Sequence, residues 1–258
     1  MIKRTIFIIS VVTAAMAMMI NSCHTSQIGV QHISIDTIYT AQYDEGYPVA
    51  FHFEKGNKHN YPLMALWITD TNNNYLQILY VAESIARGIF KHGETSTGKW
   101  LPGPIRRPAA LPVWAHSRGV PEDDSLFLPT VNTPIADAYT GATPLNDFVI
   151  HLKVQDTSVH IFNVYFEINQ SWDWNEYWTN NRFPDDEDYK TSCQPSLVYH
   201  ARINTEDSQG IYELKLIGHG HYSGDDGEIY PDLSTFTTAL EITAKAYVVL
   251  RNKEESGR

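Results

Sequence analysis

The sequence predicts an all-β protein: an antiparallel β-sandwich of immunoglobulin or fibronectin style, with long ordered loop insertions. Three observations predict it. Short apolar runs alternate with period two, as strands with one buried face require. Aromatic residues are plentiful, with 15 Tyr, 10 Phe and 6 Trp, and such side chains suit a pleated surface. No long amphipathic helix pattern interrupts the series, so sheet-on-sheet packing is the economical arrangement.

In chain order, the first segment lies outside that fold. Lys3 and Arg4 precede an almost wholly apolar run from Ile6 to Ile20. The run falls short of the about 20 residues a membrane span needs, and it reads as a secretory signal over residues 1–22. Ile20-Asn21-Ser22-Cys23 resembles a bacterial lipobox. That resemblance implies diacylglycerol on the Cys23 sulfur, cleavage before it and acylation of the new N-terminus. The chain would then be exported and held to a membrane by its lipid anchor, facing the periplasm or the cell surface. Cleavage elsewhere, as in an ordinary signal peptide, is the alternative. Residues 23–31 read as a tether. With Cys23 lipidated, Cys193 is the one remaining thiol, so no intrachain disulfide is expected. It sits in the polar stretch YKTSCQPS and reads as an incidental loop thiol.

Strand signals then follow one another. HISIDTIYTA and PVAFHFEKG alternate, and YPLMALWITDTNNNYLQILYVA is a hairpin around an Asn-rich loop, where Asn tolerates a left-handed backbone. From Glu83 to Leu145 the pattern fails. Seven of the 13 prolines fall between Pro102 and Pro134, with short helical pieces expected near Ser84–Phe90 and Pro108–His116. A stretch this long is expected to be an ordered excursion lying against the sheet. Strands resume with FVIHLKVQ, VHIFNVYFEINQ, SLVYHARIN, IYELKLIGHGHY and ALEITAKAYVVL. The body spans residues 32–250, as one sandwich or as two sub-sandwiches over 32–145 and 146–250, with a tail at 251–258.

Composition narrows the function. The chain carries 19 basic and 30 acidic residues, a formal charge of −11. Removing the signal takes away Lys3 and Arg4 and no acid. This balance argues against nucleic acid as a partner, because phosphate binding needs a basic surface. No nucleophile elbow, phosphate-binding Gly loop or ordered catalytic triad is present.

The segment Asp137-Ala-Tyr-Thr140-Gly141-Ala142-Thr143 resembles the sequence read by bacterial flavin transferases of the ApbE type. The resemblance implies FMN joined through its phosphate to the Thr143 hydroxyl. A transferase must take such a segment into its own active site, so small neighbours and a pliant backbone suit it, and Gly141 and Ala142 supply both. The plainer alternative is a turn at Thr140-Gly141 capped by Asp137. YPLMALWITDTNNNYLQILYV, RRPAALPVWAHSRG, DAYTGATP and LIGHGHYSG together look like a family of exported bacterial β-sandwich proteins known as a domain of unknown function (DUF family 2271). Its members often occur with flavin transferases or membrane redox proteins. The resemblance covers most of residues 60–240 and implies a redox association.

Other residue groups carry candidate chemistry. Arg118, with Arg106 and Arg107, suits a flavin phosphate, and Trp114, Trp100 and Tyr139 are expected to pack near the ring. Their ordinary roles are salt bridging and core packing. His219 and His221 would share a strand face and, with Asp225 or Glu228, suit zinc, although a turn-rich structural loop explains GHGHYSGDDGE as well. Asp185, Asp186, Glu187 and Asp188 read as a solvated acidic run. Trp172, Trp174 and Trp178 could stack on a sugar or flavin ring, or anchor their loop.

The leading expectation is thus an extracytoplasmic lipoprotein with a redox-accessory or electron-transfer role and covalent FMN at Thr143, served by a flavin transferase and an unknown membrane redox partner. The alternative is a non-catalytic binding module for carbohydrate or protein. A metal-dependent hydrolase using His219 and His221 stands third.

Overall fold

The structure, a computed structural model, describes residues 35–39, 46–94, 96–135, 140–207 and 210–250. Cys23 lies outside the described residues. Among the described residues no helix is long and apolar enough to cross a membrane.

Strand follows strand as the alternation requires. The first are β1 (Ile35–Tyr39), β2 (Tyr47–Lys55), β3 (Leu63–Thr69) and β4 (Tyr75–Ala82). Next come α1 (Glu83–Arg87), β5 (Ile89–Glu94), β6 (Leu101–Pro104), α2 (Pro112–Ser117) and the two-residue β7 (Thr140–Gly141). Then follow β8 (Asp147–Val154), β9 (Ile161–Asn169), α3 (Glu187–Ser192) and β10 (Leu197–Asn204). The last are β11 (Ile211–Glu213), β12 (Lys215–His219) and β13 (Thr243–Leu250).

They build a five-stranded sheet, β1-β8-β2-β13-β11, and a six-stranded sheet, β12-β10-β9-β3-β4-β7. Both draw strands from both halves of the chain, so a division at residue 145 would cut through each. Pairing is antiparallel except for β1 with β8 and β4 with β7. Phe51 and Phe53 of β2 face Phe166 of β9 across the gap, with ring centroids 5.1 and 5.8 Å apart. Phe148, Ile150, Met64 and Leu66 complete the same core. Each such side chain, when fully buried, contributes about 1.5–3 kcal/mol.

The six-stranded sheet is covered on its other face too. Ala65, Trp67 and Val198 pack there against Leu111, Trp114 and Leu128 of the Pro-rich excursion. One carboxylate fastens this layer. Leu111, the residue before α2, offers no side-chain cap, and Pro112 fills the first helical position, where its missing N–H costs nothing. The next two N–H groups reach across to β9: Val113 N donates to Glu167 Oε1 at 3.2 Å and Trp114 N to Oε2 at 2.7 Å. Ser196 Oγ adds a third bond at 2.6 Å. Glu167 is fully buried, and that burial pushes its carboxyl up to about 7 against the pull of the three donors. Gly220 passes so close that a Cβ there would lie 2.7 Å from Ser196 Oγ.

Candidate functional site

The Thr143 element is built onto a sheet edge. Thr140 and Gly141 pair in parallel with Val81 and Ala82 of β4, and the Tyr80 hydroxyl donates to Gly141 O at 3.2 Å. The chain then turns inward. Thr143 Oγ1 donates to Pro62 O at 2.7 Å, and His59 Nε2 donates to the carbonyl of the buried Pro144 at 2.9 Å. Burial lowers the His59 pKa and so favours the neutral ring, and the Pro144 carbonyl, which can only accept, calls for a proton on Nε2. Residues 140–144 are therefore held in place rather than loose. Asp137 and Tyr139 lie outside the described residues.

Beside this element runs a groove of about 620 Å³, within the range of about 300–1,000 Å³ that holds small molecules. Gly141, Ala142 and Thr143 form one side, and Leu63, Ile89, Phe90 and Pro102 supply apolar wall. Glu83, Arg87 and Lys91 line it as well, with Arg87 paired to Glu83 at 2.7 Å. Ala142 is exposed and Thr143 half-buried. These charged residues of ESIARGIFK escaped sequence reasoning, because only the hairpin β5–β6 and helix α1 bring them beside a segment fifty residues later.

A scan against protein-family models and a search of curated proteins found no match.

Several nominated residues sit elsewhere. Trp114 is 0% exposed in the second core, leaving no ring face for a flavin. Arg118 donates to Phe127 O at 2.9 Å and lies over the Trp114 ring; neither residue lines the Thr143 groove. Arg106 pairs with Asp124. Arg107 is buried between Phe90 and Trp172, 4.3 and 5.2 Å from their ring centroids, and bonds Ser171 Oγ. Trp100 is exposed.

Trp172 and Trp174 remain exposed, whereas Trp178 is 7% exposed and its indole donates to Thr235 Oγ1 at 3.0 Å. The three Trp rings thus do not form one platform. His219 packs on Tyr230 and Phe236 and bonds Gly220 O, while His221 Nδ1 takes Ser223 Oγ at 3.2 Å. Among the described residues no group of three His, Cys, Asp or Glu side chains is gathered to hold a metal ion. The acidic run folds into a helix start: Asp186 caps α3 through Tyr189 N, and Glu187 pairs with Lys190. Cys193, expected in a polar loop, is instead buried in the main core, and burial pushes its thiol up to about 11.

Proposed function

We propose that this protein is a non-catalytic electron-transfer or redox-accessory lipoprotein, anchored through Cys23, that carries FMN joined by its phosphate to Thr143. The observation that supports this reading is the groove: the acceptor hydroxyl nominated by the sequence lines a cavity of suitable size with an apolar wall. Leu63, Ile89 and Phe90 would exclude water from one face of a flat ring. Arg87 and Lys91 would offer positive charge to an anionic group. Flavin, when bound, supplies the redox chemistry, and the protein positions it. Attachment would form the Thr143 Oγ1–phosphorus bond, break the pyrophosphate bond of an FAD donor and release AMP and the hydroxyl proton, so Pro62 O would lose its donor at a cost of about 1 kcal/mol. The segment must open locally to enter a transferase.

The test is to co-express the full chain with a flavin transferase and examine a denaturing gel for flavin fluorescence. The expected result is a fluorescent band that Thr143→Ala abolishes and Thr143→Ser retains, with an FMN-sized mass increment on the residue-143 peptide. A dark wild-type band, with the transferase active on another acceptor, overturns the reading.

A further inference from the structure

A second cavity, of about 520 Å³, opens on the outer face of the six-stranded sheet. It shares no lining residue with the Thr143 groove. Trp67 and Tyr165, partners in the β3–β9 register, stack in its lining at 5.3 Å and 16°. Tyr165 packs in turn on His200 of β10, so an aromatic row crosses three strands. The Asn-rich turn contributes Asn73, the end of α2 contributes His116 and Ser117, and the loop after β12 contributes Glu228.

The hydrogen-bonding state of these groups defines what they can receive. Asn73 Oδ1 accepts from the Tyr165 hydroxyl at 3.0 Å and from Asn163 Nδ2 at 3.3 Å, which leaves the Asn73 amide NH2 as a donor. His116 Nδ1 donates to Pro112 O at 2.9 Å, so in the neutral ring Nε2 is an acceptor. Ser117 Oγ donates to Trp114 O at 2.8 Å and keeps acceptor capacity. The indole N–H of Trp67 is buried without a partner among the described residues, so this ring contributes apolar surface rather than a donor. Lys and Arg are absent from the lining, which together with the charge of −11 disfavours an anion. Mixed amide, hydroxyl, imidazole and carboxylate groups around an aromatic surface suit a ligand that both donates and accepts through hydroxyls and has an apolar ring face.

We infer that this cavity binds a neutral saccharide, with Tyr165 as the stacking surface and Asn73, His116, Ser117 and Glu228 as hydroxyl partners. It is distinct from the loop of Trp172 and Trp174, which contributes nothing to its lining.

The test is native affinity electrophoresis of the full chain in a Thr143→Ala background, so that flavin plays no part. The gels contain galactomannan, xyloglucan, mixed-linkage β-glucan or starch, with polygalacturonate as the anionic control. Retardation is expected in at least one neutral gel. It should weaken by about tenfold or more in apparent affinity in Tyr165→Ala and in Asn73→Gly, and persist in Trp172→Ala and Trp174→Ala. Asn73 has φ 65°, which glycine adopts freely, so Asn73→Gly keeps the turn and decides the matter if Tyr165→Ala unfolds. Unchanged mobility in all four neutral gels overturns the inference, as does retardation in polygalacturonate alone or retardation that survives Asn73→Gly.

Discussion

Replacing Glu167 with Gln should change how stability depends on pH. The wild-type carboxyl titrates near 4.5 when unfolded and at about 7 when folded, because burial opposes the charge. Between those values the folded protein binds more protons than the unfolded chain, so stability falls as pH rises. Below about pH 4.5 the contribution is fully present, and above about pH 7 it is gone. Its size over that window is about 3 kcal/mol. Gln removes the titration but adds a fixed cost. Its single oxygen cannot serve Val113 N, Trp114 N and Ser196 Oγ as two carboxylate oxygens do. One backbone N–H at the start of α2 then faces an NH2, costing about 1–3 kcal/mol. His59, His200 and His219, whose pKa values burial lowers, act with the opposite sign, but they cancel between the two proteins. Denaturant unfolding of both from pH 4.5 to 8 measures the difference. The stability of wild type minus variant should fall by about 3 kcal/mol across that range. A constant difference, or one that grows with pH, would show that the helix N–H groups outweigh burial and would refute the reasoning.

Two further outcomes are expected. In a Cys23→Ser background, Cys193 should react with a thiol reagent at least about a hundredfold more slowly in the native protein than in denaturant, since it is buried with a raised pKa; equal rates would place it at the surface. Gly224→Ala should lose at least about 1 kcal/mol in a melting experiment, because its φ is 87° and a Cβ would lie 2.3 Å from the Pro108 carbonyl carbon.

The strands were legible because period-two alternation records which face meets the core: Phe51 and Phe53, or Phe148, Ile150 and Leu152, needed no partner to be recognised. Pairing was less legible. Nothing local announces that Ile35–Tyr39 runs parallel to Asp147–His151, or that Thr140-Gly141 joins β4. The Thr143 motif could be read as a string, but its groove could not, since Phe90 and Arg87 come from a hairpin and a helix distant in sequence. Trp114 looked available because a Pro-rich segment resembles a surface loop, yet the excursion forms a second core. Glu167 passed unnoticed: in VYFEINQ its alternation marks the outward face, and only the helix lying there buries it.

The position of β13 sets the order in which the molecule can assemble. Phe51 pairs with Val248, and β13 also carries β11 on its far side. The centre of the five-stranded sheet is thus closed by the last strand among the described residues. A nascent polypeptide emerging from its N-terminus must hold β2 with one edge unzipped until residue 250 is free. Such distant pairing slows folding, and the waiting edge is open to pairing with another chain. Premature termination before Thr243, where β13 begins, would therefore remove the keystone of one entire layer.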